Sequence, residues 1–136
     1  MSRPAPQRGS VSVVTAAVVF LAGVLSLVAV DLLRNFRRGL TTRLEICDAH
    51  PELLRAAKHL GRQATRPCPV CDKEDLRLLA YVYADGAGRD NGRAYRVEEG
   101  LTLAAEHPGG ACYVVEVCTD CSWNHLAEAL VARSAG

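Results

Sequence analysis

The sequence predicts an α+β fold: a small β-sheet with flanking helices, preceded by a single N-terminal transmembrane helix. Three observations predict it. An uncharged apolar run fills Val11–Val30. Two Cys-x-x-Cys pairs, Cys68/Cys71 and Cys118/Cys121, stand 46 residues apart. Around them, stretches rich in β-branched and aromatic residues alternate with capped helical patterns. A chain of 136 residues has room for one domain and a short appendage.

Residues 1–10 read as a tail. The run "VSVVTAAVVFLAGVLSLVAV" follows, and 20 residues at 1.5 Å each match a hydrocarbon core of roughly 30 Å. Its eight Val, three Leu and one Phe outweigh Ser12, Thr15 and Ser26 in transfer to lipid. A buried core helix would show a polar face, and none of these positions is charged. A signal peptide has a shorter apolar stretch, about 7–15 residues, and a small-residue cleavage site, for which Leu27-Val28-Ala29 is a weak fit. Residues 11–33 are therefore assigned as a single-pass membrane anchor. Arg34, Arg37, Arg38 and Arg43 follow it, against Arg3 and Arg8 before it. The positive-inside rule then places the C-terminal domain on the cytoplasmic side of the cell membrane, where thiols stay reduced.

Residues 34–67 form a basic segment, helical before Gly39. "CDAHPELLRAAKHLGR" reads as a helix with Asp48 or His50 at its N-cap, Pro51 in the first turn and Gly61 at its end. Leu53, Leu54, Ala57 and Leu60 share its inner face. Residues 68–136 form the cysteine-bearing domain. "LRLLAYVYAD" is a strand, 86–110 is a turn-rich insertion with a short helix at "VEEGLTLAAEH", and "ACYVVEVC" is a second strand with Cys112, Val114 and Glu116 on one face. "NHLAEALVAR" reads as a terminal helix.

The cysteine pairs carry the chemistry. Zn2+ takes four ligands in a tetrahedron, and each C-x-x-C turn presents two thiolates from adjacent backbone. Cys68, Cys71, Cys118 and Cys121 make an all-cysteine, zinc-ribbon-like site for one structural zinc ion. The 46-residue gap exceeds the span of about 15–20 in compact versions, which the insertion accounts for. A catalytic zinc keeps one position open, whereas four thiolates close it. "HPE" at His50–Glu52 with "PCPVC" at Pro67–Cys71 matches the letters of a zinc-deaminase signature. Fourteen residues between the parts are too few, and Cys118 and Cys121 would be left without a role. Cys47 and Cys112 read as small buried hydrophobes, with a reactive thiol or half of a second site as the alternative for Cys47. Trp123 is expected to pack over the site. His125 is a spare ligand that four cysteines make unnecessary.

"EICDAHPELLRAAKHLG", "RPCPVC", "LRLLAYVYAD" and "YVVEVCTDCSWNHL", in that order, resemble a family of small actinobacterial proteins classed as a domain of unknown function. The resemblance spans Leu40 to Val131. It implies a zinc-ribbon-like protein without an established activity. Members of that family begin with a short charged helix, and here the chain carries Val11–Val30 instead; the cysteines are unaffected.

Charge narrows the function. Residues 31–67 hold 8 basic and 4 acidic residues, a net of +4, and residues 68–136 hold 6 basic and 11 acidic, a net of −5. An acidic cysteine domain is a poor grip for phosphates. Phe36 is the only aromatic on the basic segment for stacking bases, so nucleic acid is the disfavoured partner. No nucleophile–base set stands out. The expectation is a non-enzymatic zinc-binding interaction module at the cytoplasmic membrane face with a protein partner. The alternatives are a nucleic-acid- or ribosome-associated ribbon and a thiol redox sensor that releases zinc.

Overall fold

Two eight-residue strands organise the chain, and the rest is arranged around them. The computed structural model describes residues 27–132. In order these are α1 (27–37), α2 (Arg43–Ile46), α3 (Pro51–Leu60), β1 (Arg62–Gln63), β2 (Leu76–Tyr83), a 3-10 turn (Gly88–Asp90), β3 (Arg93–Tyr95), α4 (Val97–Ala105), β4 (Ala111–Cys118) and β5 (Asn124–Val131). The sheet is antiparallel in the order β1-β2-β4-β5, with β3 also paired to β2. β2 and β4 pair along their whole length, from Leu76↔Cys118 at one end to Tyr83↔Ala111 at the other.

Strand alternation sends successive side chains to opposite faces, and each face meets a helix. Ala80, Val82, Cys112 and Val114 point toward α4, where Val97 and Ala104 complete a buried cluster. Leu79 and Val117 point the other way, onto Ala57 of α3 with Leu53 and Leu54 beside it. α3 forms where its caps require: His50 Nδ1 accepts the Glu52 N–H at 3.1 Å, Pro51 occupies the first turn, and the Gly61 N–H returns to the Ala57 carbonyl at 2.9 Å. A third cluster closes the end of the sheet where β2 begins and β4 finishes. It contains Ile46, Cys68, Leu76, Cys118 and Trp123.

The transmembrane part of the expected fold is corrected. Among the described residues no helix is long and apolar enough to cross a membrane. Residues 11–26 of the assigned span 11–33 lie outside the described residues. Its remainder belongs to α1, which carries Asp31, Arg34 and Arg37 and packs Leu33 and Phe36 onto the third cluster rather than onto lipid. The single-pass membrane location with a cytoplasmic domain is corrected with it. α1 does end as expected at Gly39, which takes φ +76° while the Leu40 N–H donates to the Asn35 carbonyl at 2.9 Å.

The terminal helix expected over "NHLAEALVAR" is also corrected: Asn124–Val131 is strand β5. Ala, Leu and Glu favour helix, but after Cys121 the chain turns back directly beside the open edge of β4, and the ladder there overrides propensity. Leu126 pairs with Val115 and Glu128 with Val114, so Ala127 is bulged out. That bulge breaks the two-residue alternation that would have marked a strand.

Gly100 lies inside α4 where the helix crosses β2. A Cβ there would stand 2.7 Å from the Ala80 Cβ and 3.4 Å from the Cys112 Sγ. Helix propensity favours Ala over Gly by about 1 kcal/mol, but overpacking a filled core costs roughly 1–3 kcal/mol. Gly100→Ala is expected to destabilise the protein, read as a lower midpoint in urea denaturation with unchanged slope.

Candidate metal centre

Each cysteine pair sits on the same local backbone. The Cys68 N–H donates to the Lys73 carbonyl at 2.9 Å, and the Asp72 N–H donates back to the Cys68 carbonyl at 2.9 Å. Fifty residues on, the Cys118 N–H donates to the Trp123 carbonyl at 2.8 Å and the Ser122 N–H to the Cys118 carbonyl at 3.0 Å. The residue after the second cysteine is left-handed in both, Asp72 at φ +62° and Ser122 at φ +73°. Asp tolerates that conformation, and serine does so at some strain. The first sulfur of each pair accepts a backbone N–H, Cys68 Sγ from Val70 and Cys118 Sγ from Cys121, both at 3.4 Å. Donors aimed at sulfur stabilise thiolate.

The first turn precedes β2 and the second follows β4, so the antiparallel register brings the two together. The four sulfurs all lie within 4.8 Å of one another, with Cys68–Cys121 and Cys71–Cys118 at 3.7 Å. Four thiolates at about 2.3 Å from a zinc ion stand about 3.8 Å apart along the edges of their tetrahedron. The donor set and its spacing therefore fit such an ion. Cys68 and Cys118 are buried, and Cys71 and Cys121 half-buried.

Without a cation, burial works against charge here. It pushes the Cys118 thiol up to about 11, and pushes Cys68 and Cys121 up as well. Cys71 moves the other way: burial raises it, but the Lys73 amide and the thiols of Cys118, Cys68 and Cys121 together bring it below the usual thiol range.

Around the sulfurs the structure gives Glu116, which the sequence placed only on a strand face, a role beside the site. Glu116 is buried at 5% exposure, and its carboxylate accepts the Trp123 indole N–H at 3.1 Å and pairs with Arg66. An acid at an inward strand position, close to the only tryptophan, was the available signal. Trp123 packs with Cys68 and Cys118 as expected. His125 stacks on it, centroids 6.1 Å apart, instead of joining the sulfurs, and burial lowers its imidazole. His50 caps α3 and Glu52 pairs with Arg55, so neither joins the cluster.

Cys112 fits its expectation as a buried apolar residue, its thiol raised to about 11 by burial in the α4 cluster. Cys47 does not. It ends α2, whose start is fixed by the Glu45 carboxylate accepting the Thr42 N–H and hydroxyl. The Ala49 N–H donates to the Ser122 carbonyl at 3.0 Å, and Asn124 Nδ2 donates to Asp48 Oδ1 at 2.8 Å. These ties hold the Cys47 Sγ 3.6 Å from the Cys121 Sγ, with the Arg43 guanidinium beside both.

Residues 24–136 match the "Family of unknown function (DUF5318)", and the chain belongs to that family. Uncharacterised proteins of Mycobacterium tuberculosis and Mycobacterium bovis are each 43% identical over 105 residues, which cover 77% of this chain and 77% of theirs. No solved structure matches.

Glu116→Ala leaves the buried Trp123 N–H without an acceptor and is expected to cost about 1–3 kcal/mol. Glu116→Gln, which keeps an acceptor oxygen, should cost less. Chemical denaturation followed by the fluorescence of this single tryptophan separates the two.

Proposed function

We propose that this member of the DUF5318 family is a non-enzymatic interaction module, folded around one structural zinc ion held by Cys68, Cys71, Cys118 and Cys121, and that it acts by binding another protein. The observation that carries the reading is the gathering of four sulfurs within 4.8 Å of one another on two turns of one backbone form. Thiolates from two C-x-x-C turns suit Zn2+, and a full shell of four leaves no position for water or substrate. The ion supplies cross-linking at one end of the sheet rather than chemistry. Burial of the thiols favours a dication there, because its charge offsets the desolvation that raises Cys68 and Cys118. A protein partner is supported by the large apolar side chains at the α1–α2 junction, Leu40 at 72% and Leu44 at 87% exposure.

Elemental analysis of the purified full chain should find one zinc per chain; iron in its place, or no metal with intact thiols, would overturn the ion assignment. Cys118→Ser is expected to lose the metal and the cooperative unfolding transition together, since binding and folding energy are shared. Binding must expel the protons that burial holds on Cys68, Cys118 and Cys121. Zinc affinity measured by competition with a chelator should therefore rise with pH across the neutral range and fall toward acid.

A further inference from the structure

Five sulfurs, not four, meet at the end of the sheet. A four-ligand shell engages Cys68, Cys71, Cys118 and Cys121, which leaves Cys47 as the one neighbouring thiol outside the shell. Its sulfur lies 3.6 Å from that of Cys121 and is oriented to donate an S–H hydrogen bond to it. Both residues are half-buried, so small solutes reach them, whereas Cys68 and Cys118 are fully buried. Cys112, the sixth, is sealed in the α4 cluster. The approach of Cys47 is built in: α2 and the links from Asp48 and Ala49 to Asn124 and Ser122 hold it against the second turn.

We propose that Cys47 and Cys121 are the site of a reversible disulfide, formed by reaction with hydrogen peroxide, that withdraws one ligand from the metal centre. The step rests on the zinc reading for its consequence but not for the bond itself. The Cys121 thiolate attacks one oxygen of hydrogen peroxide; an S–O bond forms, the O–O bond breaks, and hydroxide leaves. Cys47 then attacks the sulfur of the resulting sulfenic acid. The S–S bond forms, the S–O bond breaks, and the departing hydroxide takes the Cys47 proton to become water. Two sulfurs lose two electrons in total, and one peroxide becomes one water and one hydroxide.

The pairing is specific for a reason of occupancy. Joining Cys68 to Cys121, or Cys71 to Cys118, also at 3.7 Å, would strip two ligands from the ion at once. Joining Cys47 to Cys121 strips one. With Cys121 withdrawn, Cys68, Cys71 and Cys118 alone would hold the ion less firmly against a competing chelator. A thiol reductant restores the shell.

The test treats the zinc-loaded full chain and its Cys47→Ser variant with one equivalent of hydrogen peroxide. Zinc release is followed with a chromogenic chelator, and disulfides are mapped by mass spectrometry of non-reduced digests. The wild-type chain should lose about 2 Da at a Cys47–Cys121 linkage, release its zinc in parallel and recover both on reduction. Cys47→Ser should carry as much zinc before treatment and release it on the order of tenfold more slowly. A first disulfide between any other two cysteines, Cys68–Cys121 and Cys71–Cys118 included, or release from Cys47→Ser at the wild-type rate, overturns the proposal. If the chain carries no zinc, the zinc reading fails, and mapping the peroxide-treated metal-free chain still decides the Cys47–Cys121 bond on its own.

Discussion

The register of β2 against β4 is the constraint on which everything else rests. One pairing, Leu76 opposite Cys118, sets the end of the sheet at which both cysteine turns emerge. A one-residue slip of β2 would reverse the facing of every side chain on that strand, sending Leu79 toward α4 and Val82 toward α3. Both helices specify against that slip, because each face is already matched to its own apolar set. The sulfurs are thus positioned by packing some distance from them, and the two turns need only be locally correct.

Local correctness is expensive in one respect. Among the described residues, two outside glycine sit at positive φ, and a buried carboxylate lies among apolar side chains. Each has a compensation within a few residues. The left-handed residues each donate their N–H to the carbonyl of the first cysteine of the turn. Glu116 receives the indole N–H on one oxygen and Arg66 on the other, so the charge is met from both sides. The same carboxylate fixes the Trp123 ring, and with it the wall of the cluster containing Cys68 and Cys118.

Much of this was legible in the sequence, and the boundary has physical causes. Helix α3 could be read because its caps, His50, Pro51 and Gly61, act within one turn. β2 and β4 could be read because both carry dense β-branched and aromatic residues. The convergence of the two C-x-x-C pairs followed from their spacing. β5 was hidden because its composition favours helix and only the edge of β4, with a bulge at Ala127, selects the strand. The contact of Cys47 with Cys121 was hidden because the two are 74 residues apart, and no local pattern reports so distant a contact. The apolar run misled for a related reason. Hydropathy counts the residues of a segment without asking what they pack against, and at the described end of the assigned span Leu33, with Phe36 just beyond it, packs against protein.

The excursion between β2 and β4 leaves the sheet at the end opposite the sulfurs, beyond Tyr83 and Ala111. Its turns, on either side of β3 and α4, can therefore lengthen or shorten without displacing a ligand. Loop closure is forgiving of such changes, since doubling a flexible loop costs only about 0.6 kcal/mol. The distance in sequence between the two cysteine pairs is consequently a free variable, set by whatever the far end of the sheet carries. The two-residue spacing inside each pair is fixed by bond geometry. A comparison of chains built on this plan should find the inner spacing constant and the outer one drifting, and a search pattern that demands a set outer distance would pass over true members.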